Sequence, residues 1–543
     1  MRKRDGPSAL KWAEPRFLNN YPGDERRMTV VTSSESRTIR PGSIAVAWPN
    51  SAWLFWAVVA LYLAGHVAFR LWETPNIGKN DVQEALAAQS WAWGYHPRNP
   101  PLHTWLLMGS YALFGVGLLA HVILKYALLG ATYAFAYLSA KRILTTPQRA
   151  AMAALAVSLL TPFAWTVHTA LTHTLLLAAI IFATLWAAIR LTTHRRLIDY
   201  AVLGIVIGLG FLAKYSYPLF LLPFAVAMLS QAEHRRVLLH PAMLLTLAVA
   251  ATVFAPHGLW MATTRFDFVE FLAEKQRGEA GQPYFAAVAA GVGQVTIGTL
   301  SVFAPLMMLA GLTLRVSSRV AAPTAWTRVL ILTPALGLAL LLLDVFVMRA
   351  TQFEERYFMC AMLLAPLSLF AWLDGRQFVN PARTLAWFGA GILAASMIIF
   401  AGLTGRALLY NQSCDRCLEE MPVNELVNRV RTASGFERGT IIADHYDLAG
   451  NMRIALPQAR AYAANYVVDQ PPLVGSGQCL LVWNARRTGD AVPRPLRAYL
   501  AERHLTLPAG QPQFVDAPLH RSARMDRLAY WALPNADANC NPR

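Results

Sequence analysis

The sequence predicts an α-helical polytopic membrane protein with about 11 transmembrane helices, followed by a small C-terminal α/β domain. Three observations lead to this fold class. Hydrophobic residues make up 55% of the 543 residues and charged residues only 15%. Apolar segments of about twenty residues, each long enough to cross a bilayer, recur between residues 51 and 403. Beyond residue 405, charged residues and prolines become frequent, which is typical of a water-exposed domain.

The basic residues indicate the orientation of the chain. The formal net charge is +17, and the arginines and lysines fall mainly in short loops between apolar segments, as the positive-inside rule describes. The basic tail at residues 1–50 is expected to be disordered and cytoplasmic. It is not expected to be a signal peptide, because the first apolar run begins only after it, at about residue 51. No nucleic-acid partner is expected, because no basic patch accompanies a nucleic-acid-binding fold.

A transmembrane domain is assigned to residues 51–405. With the tail inside, an odd number of spans places the C-terminal domain, residues 406–543, on the outer side of the membrane. The predicted spans are residues 51–69, 118–140, 150–165, 172–189, 200–213, 217–229, 241–261, 285–314, 329–348, 357–373 and 385–403.

The C-terminal segment reads as a small α/β domain. Short apolar runs at residues 440–443 and 479–483 predict buried strands, with a helix at 446–456 between them. Four of the five cysteines lie in this domain and could form two disulfides in an oxidising compartment, although their spacing leaves the connectivity open. A redox or metal-binding pair is the alternative for the first two, but no second pair or histidine has zinc-site spacing. The four are Cys414, Cys417, Cys479 and Cys540.

The stretch at residues 79–106 gathers ionisable and aromatic side chains beside the first apolar segment. Asp81 and Glu84 are three residues apart, so a helix would place both on one face. Tryptophans and a tyrosine follow, as at a membrane–water interface, and prolines then end any regular helix. An interfacial helix is expected at residues 103–114. The pattern indicates an outer loop against the bilayer that carries acidic and basic groups.

Several short motifs resemble those of GT-C glycosyltransferases, the group that includes protein mannosyltransferases and the lipid A aminoarabinose and galacturonosyl transferases. The resemblance covers about residues 50 to 400 and is specific in combination. Two acids of the family pattern are replaced, by Val82 and Ala170. The matching motifs are Asp81, Gly94-Tyr95, Pro100-Pro101-Leu102, Thr172-His173-Thr174, Gly208-Leu209-Gly210 with Lys214-Tyr215, Pro256-His257 and Glu355-Arg356-Tyr357.

The resemblance implies a function and a set of site residues. A sugar would move from a polyprenyl-phosphate donor to an envelope acceptor on the periplasmic face of a bacterial inner membrane, with inversion. The acceptor could be lipid A or core, another glycan or a protein, and no cofactor or metal is expected. The implied residues are Asp81 as catalytic base with Glu84 assisting; Arg98, Lys214, Tyr215 and Arg356 for the donor phosphate or lipid; and His103, His173 and Glu355 for substrate contacts.

Other interpretations remain open from the sequence. The protein could be a transporter or flippase, although the clearest charge within a span, Asp344, lies near a span end. A non-catalytic glycan-assembly protein would explain the two missing acids. Asp81 could cap a helix that begins at Val82, Lys214 could extend from a span end to the interface, and Arg356 could pair with Glu355.

Overall fold

The structure is a computed structural model that describes residues 52–264, 282–319, 321–413, 418–466, 477–502, 504–534 and residue 540. The predicted basic tail, the charged loop around residues 265–281, and Cys414 and Cys417 lie outside the described residues.

Helices account for most of the described chain as far as residue 413. Their bounds are α1 Ala52–Glu73, α2 Lys79–Ala87, α3 Leu102–Phe114, α4 Leu118–Ile143, α5 Pro147–Leu155, α6 Val167–Thr169, α7 His173–His194, α8 Leu197–Ala213, α9 Pro218–Ser230, α10 Ala232–Leu238, α11 Met243–Thr264, α12 Tyr284–Thr313, α13 Ala325–Met348, α14 Glu355–Met362, α15 Ala365–Asp374 and α16 Pro381–Ser413. A 3₁₀ turn at Ala156–Leu159 and a π turn at Pro162–Thr166 separate α5 from α6.

Eight helical segments of the described chain are long and apolar enough to cross a membrane, with α14 and α15 together forming one of them. The count is nine if the bent pair Pro147–Leu159 and Pro162–Thr169, with a bend of 75°, is a single span. Two shorter apolar helices, α8 and α9, complete the set. Each predicted span overlaps one of these segments, so the polytopic membrane class is confirmed, while the count of about 11 spans stays a prediction.

The C-terminal part contains a five-stranded mixed sheet in the order β4-β3-β5-β7-β6. Strand β3 pairs in parallel with β4 and β5, and β7 pairs antiparallel with β5 and β6. A two-stranded ribbon, β1 with β2, joins two loops of the membrane part. The bounds are β1 Val316–Arg319, β2 Arg376–Phe378, β3 Gly439–Ala443, β4 Ala459–Ala463, β5 Gln478–Asn484, β6 Gln513–Pro518 and β7 Met525–Leu533; the helices are α17 Val423–Ser434, α18 Tyr446–Ala455, α19 Ala485–Thr488 and α20 Arg494–Glu502.

Both faces of this sheet are covered, which explains why the central strands β3 and β5 carry buried residues at consecutive positions. Helices α17 and α18 pack on the face that carries Ile441 and Leu480. Helix α20 packs on the opposite face, which carries Ile442 and Trp483. A disulfide joins Cys479 on β5 to Cys540 near the chain end, which settles one of the connectivities that the sequence left open.

The short helix α2 connects the sheet to the helical bundle. Its apolar residues Val82, Ala85 and Leu86 belong to the same buried cluster as the α17–α18 face of the sheet. Gly450 on α18 is so close that a Cβ atom there would lie 2.6 Å from the Val82 carbonyl oxygen. Two further contacts hold the preceding turn, because the Asn451 side chain accepts from the Ile77 amide at 2.9 Å and donates to its carbonyl. The C-terminal sheet and its helices therefore position α2.

Asp444, directly after β3, is expected to destabilise the fold at neutral pH. Asp444 is 5% exposed, its Oδ1 has no hydrogen-bond partner among the described residues, and burial raises its pKa to about 6. An unfolded aspartate ionises near pH 4, so the free energy of unfolding falls as the pH rises through the interval from about 4 to 6.

At pH 8 the Asp444→Asn variant should therefore unfold at a higher temperature than the wild type. Its free energy of unfolding should be larger by up to about 3 kcal/mol. At pH 4 the two proteins should match. Thermal unfolding in detergent across this range is the measurement, with the exposed Asp490→Asn as control. Equal unfolding temperatures for Asp444→Asn and wild type at pH 8 would show that the buried carboxyl costs nothing.

Candidate active site

Helix α2 presents Asp81 and Glu84 to the helical bundle, on the side opposite its contact with the sheet. Gly78 is the N-cap residue of this helix, and Asp81 lies in its first turn. The alternative in which Asp81 caps a helix starting at Val82 is therefore wrong. Both carboxyl side chains are buried, Asp81 and Glu84 each being 7% exposed. The predicted placement of both acids on one helix agrees with the structure.

The carboxylate of Asp81 lies between two cationic or polar groups of α4. Its Oδ2 is 3.4 Å from Lys125 Nζ, and its Oδ1 is 3.6 Å from His121 Nδ1. Burial acts to raise the pKa of Asp81, but Lys125 and then His121 outweigh it and hold the pKa well below its usual range. Because its pKa is lowered in this way, Asp81 is ionised at neutral pH.

The carboxylate of Glu84 is enclosed more tightly than that of Asp81. His173 Nε2 lies 2.8 Å from Oε1, and His103 Nδ1 lies 3.1 Å from Oε2. The hydroxyl of Thr104 donates to Oε2 at 2.7 Å. Burial acts to raise the pKa of Glu84, but His173 and His103 outweigh it and keep the pKa well below its usual range. Both oxygens of Glu84 already have close partners.

A cavity of about 570 Å³ opens beside this face of α2. Its wall combines polar and charged groups with apolar side chains of α13, among them Leu340, Leu343 and Val347. Six of the nine site residues that the resemblance implies line this cavity. They are Glu84, Arg98, His173, Lys214, Tyr215 and Arg356.

Three of the residues named from the sequence do not line the cavity. Asp81 faces Lys125, one position after the lining residue Asn80. His103 is buried against Glu84. Glu355 accepts a hydrogen bond from Thr166 at 2.8 Å. The direct substrate contacts expected of His103 and Glu355 therefore do not agree with their positions, since both side chains face protein groups instead.

The cations of the cavity wall also contact protein groups. Arg356 forms its ion pair with Glu354 and not with Glu355, which corrects the pairing considered from the sequence. Lys214 donates to the hydroxyl of Thr174, and Tyr215 shares a hydrogen bond of 2.9 Å with His257. Lys214, Tyr215 and Arg356 thus contact neighbouring protein groups while they line the cavity.

This chain is similar to known proteins over most of its length. Residues 98–260 match the family model described as dolichyl-phosphate-mannose-protein mannosyltransferase. The chain is 26% identical over 493 residues to the lipopolysaccharide core galacturonosyltransferase RgtB of Rhizobium johnstonii, covering 88% of this chain and 96% of that protein. It is also 26% identical to RgtA of the same organism over 454 residues, covering 80% of this chain and 87% of that protein.

A solved structure shows the same fold. ArnT from Cupriavidus metallidurans, in a crystal structure with undecaprenyl phosphate bound, superposes with a TM-score of 0.51 at 12% identity, covering 88% of this chain and 97% of ArnT. The chain has the GT-C glycosyltransferase fold. The resemblance drawn from the short motifs is thereby confirmed, and the relatives indicate a glycosyltransferase.

The GT-C fold explains one of the two acids that the sequence motif lacks. Val82 is fully buried between α2 and α18, in contact with Gly450, so an acid here would enter an apolar core. At the second position, the carbonyl of Ala170 accepts a hydrogen bond from the Asn80 side chain. Both positions thus contribute to holding α2 against its neighbours.

Sequence reasoning missed Lys125 and His121, which both face Asp81. Each is buried within an apolar helix, at 6% and 3% exposure. A signal was available, since a lysine inside an apolar span is expensive and by default indicates a functional site. In the GT-C fold of this chain, that lysine is the ion-pair partner of the candidate base.

Proposed function

We propose that this protein transfers a galacturonosyl unit from a polyprenyl-phosphate donor to a sugar hydroxyl of the lipopolysaccharide core. The transfer occurs on the periplasmic face of the inner membrane and inverts the anomeric carbon. The observation that carries the proposal is the cavity beside α2, whose wall brings Arg98, Lys214 and Arg356 together with apolar side chains of α13. The names of the two relatives, at 26% identity over most of the chain, support the sugar and the acceptor.

The apolar and the cationic parts of the cavity wall match the lipid and the phosphate of a lipid-linked donor. Leu340, Leu343 and Val347 offer apolar surface for the first isoprene units. Lys214 and Arg356 carry the positive charge that a phosphate oxygen requires. ArnT, which has the same fold, holds undecaprenyl phosphate in its crystal structure, and this supports a donor of the same class.

A third cation supports an acidic sugar. The phosphodiester of a polyprenyl-phosphate sugar has one negative charge, and a uronic acid adds a second at its carboxylate. Arg98 enters the cavity wall from the loop between α2 and α3, whereas Lys214 and Arg356 come from the ends of α8 and α14. Arginine is well suited to bind a carboxylate through two parallel hydrogen bonds. We assign Arg98 to the uronate and the other two cations to the phosphate.

The reaction needs one bond to form and one to break. The acceptor oxygen bonds to the anomeric carbon while the bond from that carbon to the phosphate oxygen breaks, which releases polyprenyl phosphate. Lys214 and Arg356 stabilise the charge that develops on the leaving phosphate. We assign the acceptor proton to Asp81, because its contacts to Lys125 and His121, at 3.4 and 3.6 Å, are longer than those that hold both oxygens of Glu84.

Charge distribution and the disulfide support the periplasmic side. Clustered arginines and lysines lie at the end of the bundle away from α2, for example Lys141 and Arg142 in the last turn of α4 and Arg235 and Arg236 in α10. The Cys479–Cys540 disulfide belongs to the C-terminal sheet, beside α2. Disulfides form in oxidising compartments such as the periplasm.

Transfer by the purified full-length protein in lipid nanodiscs tests this function. Three polyprenyl-phosphate donors with the same prenyl chain are compared, bearing galacturonic acid, mannose or aminoarabinose. Each donor is incubated with core oligosaccharide lipid and, separately, with lipid A. Mass spectrometry should show one added galacturonosyl unit on the core acceptor only. Transfer from another donor alone would overturn the sugar assignment, and absence of transfer from all three by folded protein would overturn the function.

Lys214→Met is expected to raise the KM for the donor by about 10- to 100-fold, because a charged hydrogen bond to phosphate contributes about 1.5–3 kcal/mol. Lys214→Arg keeps the charge and should recover most of the affinity. Initial rates at varied donor concentration give KM and kcat for each variant. A KM that is unchanged in Lys214→Met would remove this lysine from phosphate binding and favour a role at the membrane interface.

A further inference from the structure

Glu84, His103 and His173 form a compact cluster of metal-ligand side chains. They come from three helices, α2, α3 and α7, and all three are buried. One donor atom from each lies within 4.8 Å of the other two. Sequence spacing could not reveal this set, because its members are separated by 19 and 70 or more positions and meet only in the folded chain.

The arrangement of the cluster fits a bound ion. Both Glu84 oxygens face an imidazole nitrogen, at 2.8 Å for His173 Nε2 and 3.1 Å for His103 Nδ1. The other nitrogen of His173, Nδ1, lies 3.4 Å from the Ala213 carbonyl oxygen. A metal-binding histidine commonly donates its second ring N–H to such a carbonyl, which turns the lone pair of the first nitrogen toward the metal. Thr104, which donates to Glu84 Oε2, orients the carboxylate in the same way.

We propose that Glu84, His103 and His173 bind a single Zn²⁺ ion. Two imidazoles and one carboxylate are the protein ligands of a tetrahedral zinc site that keeps its fourth position open. Mg²⁺ and Ca²⁺ prefer sites made of oxygen ligands, so nitrogen from two histidines favours zinc over both. This proposal replaces the expectation from the sequence that no metal is bound.

An ion held by these three side chains would be accessible from the cavity. Glu84 and His173 line the cavity wall, while His103 lies behind Glu84. Lys214, which is assigned to the donor phosphate, lines the same wall, so a phosphate oxygen held by this lysine can also reach the ion. We assign the fourth ligand to a phosphate oxygen of the donor, or to water in its absence. This second assignment rests on the proposed function, whereas zinc binding itself does not.

Zinc binding by the full-length protein in detergent tests the site without any substrate. The protein is stripped with a chelator, reloaded with Zn²⁺, Mn²⁺ or Mg²⁺, and analysed by elemental mass spectrometry. We expect one zinc per chain. Glu84→Gln, His103→Gln and His173→Gln should each weaken zinc binding by at least about tenfold. His66→Gln, a buried histidine that stacks on His168 outside the cluster, should bind zinc as the wild type does.

Cobalt gives a second readout of the same site. The Co²⁺-loaded wild type should show the visible absorption of a four-coordinate ion, and the three ligand variants should lose it. Thermal unfolding shows whether each variant is folded, and Glu84→Asp, which keeps the carboxylate, should bind zinc with intermediate affinity. Stripped wild type that takes up no zinc, or zinc affinity in the three ligand variants equal to that of His66→Gln, would overturn the site.

The donor experiment separates this site from the proposed function. If zinc binds as described, chelation should raise the KM for the polyprenyl-phosphate donor, and added zinc should restore it. A KM that does not respond to chelation, with zinc binding intact, would overturn the phosphate-ligand assignment and leave the zinc site standing. Preferential uptake of Mn²⁺ or Mg²⁺ would overturn the choice of ion.

Discussion

Asp81→Asn should lower kcat for sugar transfer by about 10²- to 10⁴-fold, which is the usual contribution of a positioned general base. The amide cannot accept the proton of the acceptor hydroxyl, while donor binding by Lys214 and Arg356 should persist. The KM for the donor should therefore change little. Initial rates with labelled donor, at saturating acceptor, separate the two constants.

Loss of activity in Asp81→Asn could also come from instability, because the substitution leaves Lys125 buried without its carboxylate partner. Removing one member of a buried ion pair commonly costs about 3–5 kcal/mol. Asp81→Asn combined with Lys125→Met removes both charges and should recover thermal stability without recovering transfer. If the double variant recovers both, Asp81 is a structural residue and the proton acceptor lies elsewhere.

The lowered pKa of Asp81 also predicts how the transfer rate depends on pH. Because Lys125 and His121 hold the pKa below its usual range, the carboxylate is already ionised at pH 5. Protonation of Asp81 should therefore not slow transfer between pH 8 and pH 5. Any loss of rate that the wild type shows in this interval should also appear in Asp81→Glu. Asp81→Glu itself should retain part of the activity, because it keeps a carboxylate on the same face of α2.

Local patterns in the sequence were sufficient to predict most of the helical framework. The apolar runs at residues 118–140 and 285–314 correspond to α4, Leu118–Ile143, and α12, Tyr284–Thr313. Hydropathy depends only on neighbouring residues, so it locates long helices well. The predicted third span was wrong in one respect, because a sharp bend before Pro162 divides it. Proline lacks the amide that a continuous helix needs at that point.

The candidate site was predicted only in part, since its contacts depend on the tertiary fold. Motif resemblance selected Glu84, Lys214 and Arg356, which the fold brings to one cavity. Nothing in the local sequence around His103 shows that it faces Glu84, because α2 and α3 must first pack against each other. The same holds for Val82, which reads as a missing acid in a motif and becomes a core residue only against α18.

Gly450→Ala should reduce transfer by about 10²-fold although Gly450 is outside the cavity, because displacements of about 1 Å in a reacting group have effects of this size. A Cβ atom at this position would lie 2.6 Å from the Val82 Cβ atom and its carbonyl oxygen. Helix α2 must therefore move away from α18, and Asp81 and Glu84 must move with it. The loss should appear in kcat and in zinc affinity together, since both depend on the position of α2.

Gly405→Ala is the matched control, because Gly405 is also a helical glycine and a Cβ atom there meets no heavy atom of the described residues within 4 Å. That variant should keep full activity and gain about 0.5–1 kcal/mol from the better helix propensity of alanine. Thermal unfolding and transfer rates of the two variants are compared in one detergent. Equal activity in Gly450→Ala and Gly405→Ala would show that α18 does not determine the position of α2. A loss confined to Gly450→Ala, with the Cys479–Cys540 disulfide intact, would show that the C-terminal sheet acts through α2 on the site.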